Sequence, residues 1–505
     1  MNIYTAAFDG LVLKLVRVEA DISNGLPSFM IVGLGDASIK EARERIRPAL
    51  KNSGFIFPQT KKIINLSPAD LKKQGSHFDL PVALAMLFAS DQIKSGSMED
   101  IFCAGELMLS GSLRKIAGAL ALTHFAQKSG FKSILLPYQN RKEAAIIRGV
   151  DVLAFNNLCE IAGYFEGGFK IKPYLRADSE ISQDEIYKPE VDFSEIVGHN
   201  IPKRALEISA AAGHHILMVG PPGTGKTMLA KAYAGILPPL TRDQSMDVSM
   251  IYSVAANRHN FSLPIRTPRF RHIHHSTTAA TLIGGNNPLT LGEATLAHLG
   301  VLFLDEIAEF SRHTLEILRE PMQDGVLRLG RNVKTSVLPA RFQLIAAMNP
   351  CPCGYFSDPV KKCTCSDFQI RQYYKKISGP ILDRIDIIVE VPRLAGRVLS
   401  SSHQTGLSES SAEIRKRVIK ARKSQTSRGV FNNDIKITQI KNICRLNKDT
   451  EEFAKQLAEK LNISPRSYLS VLKVARTIAD LEQGETVEKR HIAEAIQYRK
   501  DFIYS

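Results

Sequence analysis

Residues 214–237 read HHILMVGPPGTGKTMLAKAYAGIL, and this stretch decides the fold. An apolar run at 215–219 leads into GPPGTGKT at 220–227, and a helical segment follows. Gly220, Pro221, Pro222, Gly223, Thr224, Gly225, Lys226 and Thr227 complete the pattern G-x-x-x-x-G-K-[ST] in the strand–loop–helix setting that it requires. Gly223 and Gly225 let backbone N–H groups turn inward around phosphate oxygens, and the helix N-terminus adds a favourable partial charge for an anion. Lys226 then reaches the β and γ phosphates, and Thr227 offers its hydroxyl to Mg²⁺. A plain glycine-rich turn is the competing reading; the flanking strand and helix argue against it.

About 80 residues further on, 301–306 reads VLFLDE. A buried strand that ends in two acids delivers them to the ligand edge of a parallel sheet. Asp305 is expected to hold Mg²⁺, and Glu306 to orient and deprotonate an attacking water. The apolar runs 215–219, 301–304 and 342–347, each followed by a turn and a helical segment, imply a parallel sheet covered by helices.

The rest of the chain divides around this unit. Residues 1–165 read as mixed α/β, with alternation over 11–20, an amphipathic charged helix over 38–51 and a short buried strand over 132–137. A polar, Gly- and Pro-containing stretch, 166–191, reads as a linker. The phosphate-loop unit spans 192–395, a Ser-rich connector 396–411, and a helical domain 412–505. The chain has 505 residues, about three domains' worth. With 44% hydrophobic and 23% charged residues it is neither disordered nor fibrous. The longest apolar runs are too short to span a bilayer, and the first residues carry no signal-peptide pattern, so a cytoplasmic protein without membrane contact is expected. Lys and Arg number 66 against 51 Asp and Glu, a net +15 that favours a polyanionic partner.

The phosphate loop, the DE strand, LIAAMNP at 344–350 and LDRIDI at 382–387 together resemble an AAA+ ATPase of the magnesium-chelatase type. The resemblance implies that Asn349 senses the γ-phosphate and that Arg384 is an arginine finger acting on ATP held by a neighbouring subunit. It also implies that Arg466, in SPRS at 464–467, is a second sensor in a helical lid. Taken alone, each arginine would read as a solvated surface residue. The whole chain is similar to the ComM/YifB family of Mg-chelatase-like proteins, and RTPRFRHIHH (266–275) and GGNNPLTLGEATLAH (284–298) fit that pattern. What the family implies is an N-terminal domain of Lon-protease-like fold, an AAA+ core and a C-terminal lid. It further implies a hexameric ATP-driven DNA helicase promoting branch migration of single-stranded or branched DNA in natural transformation. A magnesium-chelatase motor subunit and an ATP-dependent protease or chaperone are the alternatives.

In the N-terminal region the segment that would carry a Lon nucleophile reads KKQGSHFDLP (72–81), and the one that would carry its lysine reads AGALALTHF (117–125). Neither supplies the dyad, and Ser76 with His77 lacks a recognisable oxyanion hole, so a non-proteolytic scaffold is expected. Cys351, Cys353, Cys363 and Cys365 make C-x-C-x₉-C-x-C, a complete tetrahedral thiolate set and a candidate structural zinc site, although the usual knuckle is C-x-x-C. His272, His274 and His275 offer a metal site as one reading, but neighbours on an extended chain point to opposite faces, so His274 and His275 cannot both face one ion; a nucleic-acid or subunit contact is the reading preferred. Candidate DNA contacts are Arg328 and Arg331 in GVLRLGR (325–331), a hairpin directed at a ring's pore. Arg415, Lys416, Lys420 and Lys423 on one broad helix face are further candidates.

Overall fold

In a computed structural model of the chain, the described residues are 2–94, 98–175, 190–255, 264–286, 289–331, 334–394, 409–461 and 463–499. Most of the 166–191 linker and of the 396–411 connector therefore lies outside them.

The N-terminal strands are β1 (Ile3–Asp9), β2 (Val12–Ser23), β3 (Ser28–Val32), β4 (Lys61–Ser67), β5 (Ile101–Cys103), β6 (Ser133–Pro137) and β7 (Asp151–Phe155). They form one mixed sheet in the order β3-β4-β2-β1-β5-β6-β7. Helices α1 (Ala37–Asn52), α2 (Asp79–Ala89) and α3 (Ala119–Lys128) pack on it. The periodic stretches at 11–20, 38–51 and 132–137 form β2, α1 and β6. α2 is almost wholly apolar and buried, as a helix that faces the core all round should be. Ser76 and His77 do not pair: the Ser76 hydroxyl donates to Glu106, and His77 Nε2 lies 2.9 Å from the Ala6 carbonyl in the core.

Next come α4 (Asn200–Ala212), β8 (Ile216–Val219), α5 (Lys226–Tyr233), α6 (Arg242–Val254), β9 (Phe270–Ile273) and β10 (Val301–Leu304). An antiparallel hairpin of β11 (Val326–Arg331) and β12 (Lys334–Pro339) precedes β13 (Gln343–Met348) and β14 (Ile387–Glu390). The order β9-β10-β13-β8-β14 is parallel throughout. β8, β10 and β13 are buried along their whole length, which is why they read as unbroken apolar runs.

The C-terminal region contributes α7 (Ser411–Ser427), α8 (Pro465–Leu481) and α9 (Lys489–Gln497), with shorter helices between α7 and α8. Their apolar faces share one buried cluster with the parallel sheet, from Phe193 through Val389 to Tyr498. The last residues of the connector range already start α7: the Ser410 hydroxyl caps it by accepting the Glu413 N–H at 3.3 Å, and the Ser411 hydroxyl accepts the Phe193 N–H at 2.9 Å. At the other boundary the Tyr174 N–H donates to the Val152 carbonyl, so the polar stretch after Glu166 first runs along β7. The N-terminal unit is pinned to α6 through Ser253, whose carbonyl accepts from the Gly118 N–H and whose hydroxyl donates to the half-buried Glu143. Among the described residues no helix is long and apolar enough to cross a membrane.

Candidate active site

β8 ends at Val219, and the loop 220–225 turns over the edge of the sheet into α5. Gly223 and Gly225 hold φ of +76° and +88°, a region costly for any residue with a Cβ. A Cβ at either would meet nothing within 4 Å, so conformation, not crowding, demands glycine and the loop's face stays open. Gly220 differs: a Cβ there would collide with the Val391 carbonyl. The Thr224 hydroxyl ties the loop to Pro221 O at 2.9 Å. Lys226 Nζ curls over the loop, donating to Gly220 O at 2.7 Å, Pro221 O at 2.9 Å and Asn349 Oδ1 at 3.3 Å. Burial lowers its pKa to about 8, against the opposing pull of Asp305 and Glu306.

β10 delivers its acids to the same edge. The Thr227 hydroxyl donates to Asp305 Oδ2 at 2.9 Å, so two hard oxygen donors, the kind Mg²⁺ takes, already converge. Glu306 has φ +53°; a non-glycine residue held there costs on the order of 1–3 kcal/mol and is concentrated at functional sites. Asn349 follows β13 and closes the group through Lys226. Lys226, Thr227, Asp305, Glu306 and Asn349 thus gather at the C-terminal edge of adjacent strands.

Two of the clustered histidines stand beside the acids. β9 pairs in parallel with β10, placing His272 opposite Phe303. His272 Nε2 is therefore 4.0 Å from Asp305 Oδ2, and His275 Nδ1 is 3.2 Å from Glu306 Oε2. Both histidines remain partly exposed beside the acids, a placement that the spacing along the chain does not reveal. β9 reads FRHI, too polar to announce itself as a central-domain strand, and its neighbour in the sheet is not visible in the chain order.

Arg384 and Arg466 are elsewhere. β14 runs parallel to β8, with Ile387 beside Ile216 and Glu390 beside Val219. The phosphate loop follows Val219, while Arg384 precedes Ile387. The two groups sit at opposite ends of paired strands, about 10 Å apart along the strand alone at about 3.3 Å per residue. Arg384 donates to Pro380 O at 2.7 Å and to Gln323. Arg466 opens α8, which is tied to the same edge by the Ser470 hydroxyl donating to Asp386. The two arginines line one cavity of 260 Å³ with Gln323, Asp386, Ser470 and Lys473. Burial and then the nearby Arg466 charge lower the Arg384 pKa.

Three family descriptions match in tandem: magnesium chelatase, subunit ChlI, over residues 192–399; subunit ChlI of Mg-chelatase over 18–140; and the ChlI C-terminal unit over 408–499. YifB of Escherichia coli (strain K12) is 39% identical over 98% of this chain and 96% of its own length. Competence protein ComM of Haemophilus influenzae is 38% identical over 98% and 97%. The chain belongs to the ComM/YifB family of magnesium-chelatase-like AAA+ ATPases. The likeness to the magnesium-chelatase 67 kDa subunit of Chlorobaculum parvum is narrower: 26% identity over 39% of this chain and 26% of that one.

In this ComM/YifB chain the cysteine quartet converges. Cys351 Sγ lies 3.3 Å from Cys353 Sγ and 3.7 Å from Cys363 Sγ; Cys353 and Cys363 are 3.5 Å apart. All four sulfurs fall within 4.8 Å of one another. Zinc bonded at about 2.3 Å in a tetrahedron sets sulfurs about 3.8 Å apart, so the set fits. Burial works to raise the Cys353 thiol, but the N–H groups of Thr364 and Tyr355 outweigh it and bring it down to about 5.

The basic candidates divide. Arg328 is ion-paired with Glu320 and, at 3.4 Å, with Asp324; the side chain of Arg331 lies outside the described residues. On α7, Lys416, Lys420 and Lys423 are exposed at i, i+4 and i+7, one face of the helix. Arg415 is half-buried, and Arg417 and Arg422 turn inward to Glu207 and to Ala210 O.

Proposed function

We propose that this chain is a Mg²⁺-dependent ATPase that assembles head-to-tail into a ring, with six subunits, and drives branch migration of DNA during recombination of incoming strands. The observation that carries the reading is the separation of Arg384 and Arg466 from the phosphate loop of their own subunit. An arginine finger speeds phosphoryl transfer by placing guanidinium charge on the transferring group, and from the far end of the strands neither arginine supplies it in cis. A head-to-tail interface brings this edge of one subunit to the phosphate loop of the next, and such interfaces close into rings.

Within the site, Lys226 and the loop N–H groups bind the phosphates, and Thr227 and Asp305 hold Mg²⁺. Bound Mg²⁺ would neutralise charge developing on the β and γ oxygens. Glu306 accepts the proton of the attacking water, Asn349 orients the γ-phosphate end through its contact with Lys226, and Arg384 and Arg466 act on the neighbour's ATP. Zinc in the cysteine quartet is structural, since four thiolates leave no open position. Lys416, Lys420 and Lys423, with the β11–β12 hairpin carrying Arg328 and Arg331, track the phosphate backbone of DNA. Residues 1–165 act as a non-proteolytic Lon-like scaffold, a reading supported by the separate engagements of Ser76 and His77.

The near full-length similarity to competence protein ComM supports DNA as the partner. The likeness to the magnesium-chelatase 67 kDa subunit of Chlorobaculum parvum spans only 201 residues, 39% of this chain. DNA-stimulated ATP hydrolysis tests the choice: strong stimulation by branched DNA is expected, and ATPase indifferent to any DNA would overturn it.

A further inference from the structure

We propose that the Cys351–Cys365 knuckle is a metal-dependent prop for the phosphate loop, so that zinc occupancy sets nucleotide affinity; this rests on the zinc reading above. The contact is direct. Asn349, the residue two before Cys351, receives a hydrogen bond from Lys226 at 3.3 Å. Cys351 is fully buried, and its carbonyl accepts the Gly354 N–H at 2.9 Å in a tight turn. Gly354 has φ +85°, and a Cβ on it would stand 2.8 Å from Pro222 Cδ. The knuckle backbone is thus seated against the ring of Pro222, between the carbonyl of Pro221 that holds Lys226 and the open turn at Gly223.

What holds the knuckle in that seat is mainly sulfur. Between residues 355 and 365 only the Asp358 side chain is enclosed, accepting from Arg393 and from the Val360 and Lys361 N–H groups, and Val360 is 73% exposed. The segment is closed by the four thiols, by N–H···S contacts from Cys353 to Cys365 and from Phe356 to Cys351, and by the Asp358–Arg393 ion pair. Without a cation only weak contacts between the sulfurs draw them together, and closing their loop costs entropy. A tetrahedral ion binds all four as thiolates and offsets that cost, which is how small metal knuckles gain their fold. Release of the ion frees Gly354 from Pro222 and loosens Asn349, and the phosphate loop must then be ordered at the expense of nucleotide binding. Because linkage is reciprocal, bound nucleotide should in turn slow zinc loss.

The test uses the full chain. Zinc content is measured on purified protein. Zinc is then stripped with a chelator, the chelator and Mg²⁺ are exchanged, and a fluorescent ATP analogue is titrated before stripping, after it, and after zinc is returned. One zinc per chain and an affinity about tenfold weaker after stripping, restored by zinc, are expected; tenfold corresponds to about 1.4 kcal/mol, of the size needed to order one loop residue. Zinc release followed with a chromogenic chelator should slow by a similar factor when nucleotide is bound. Gly354→Ala should keep its zinc and still bind nucleotide more weakly. Cys365→Ser, which removes one of the four ligands, should match the stripped protein, with its thermal melt confirming that it is folded. Protein that takes up no zinc overturns the metal reading and the prop with it. Protein that holds zinc, but whose nucleotide affinity stays within twofold on stripping and in Gly354→Ala, overturns the prop and leaves the metal reading standing.

Discussion

Mixing inactive subunits reads out the site's geometry. A Lys226→Ala subunit loses the cation on its own phosphates but keeps Arg384 and Arg466; an Arg384→Ala subunit keeps its loop but has no finger to give. With the finger at one end of β14 and the loop beyond the other end of β8, no rearrangement of side chains within one subunit restores a site. Loss of the finger should lower turnover by on the order of 10³-fold, about 4 kcal/mol of barrier. In randomly mixed rings at equal amounts, about one interface in four pairs an intact loop with an intact arginine edge. ATPase should therefore recover to about a quarter of the parent rate if interfaces work independently. Arg466 sharpens the experiment. It shares a 260 Å³ cavity with Arg384, so both are offered by the same subunit, and Arg384→Ala mixed with Arg466→Ala should stay dead: every interface lacks one or the other. Rescue in that second mixture would mean that Arg466 serves its own subunit. Failure of the first mixture, with subunit exchange demonstrated, would refute action in trans and the argument for a ring.

Glu306→Gln should bind ATP but hydrolyse it at least 10²-fold more slowly, since glutamine cannot accept the water's proton; a trapped, stoichiometric ATP complex checks this. With its pKa lowered to about 8, Lys226 is charged below that value and must regain a proton on binding an anion above it. Nucleotide affinity should be flat below about pH 8 and fall up to tenfold per unit above it, with proton uptake measurable by calorimetry in buffers of different ionisation enthalpy. Replacing Lys416, Lys420 and Lys423 with alanine should reduce the slope of log affinity for DNA against log salt by about 2–3; an unchanged slope would remove that helix face from the interface.

The phosphate loop, Asp305 and Glu306 were legible because their chemistry is local: each is a short motif at the end of a strand whose wholly buried residues form an unbroken apolar run. β9 and β14 were not read as strands. β9 carries Arg271 and His272, and β14 has only three apolar residues between Asp386 and Glu390, so neither shows the unbroken apolar run that marks β8 and β10. The position of His275 beside Glu306 depends on sheet order, which no single segment encodes. The shared cavity of Arg384 and Arg466 depends on Ser470 meeting Asp386 across 84 residues, a contact that spacing cannot express. Arg328 read as a free cation because its partners, Glu320 and Asp324, lie on the preceding helix and only the hairpin's fold turns it back to them. The four cysteines, by contrast, announced a common site through composition alone, and the departure from C-x-x-C spacing did not prevent their convergence.

The most direct measurement of the central claim is branch migration on a three-stranded junction with long homologous arms, followed by strand release. With ATP and Mg²⁺ the parent protein should release the displaced strand. It should release none with a non-hydrolysable analogue, and Glu306→Gln should bind the junction without moving it. Brisk ATP hydrolysis by the parent protein with no strand release from any junction would contradict the account.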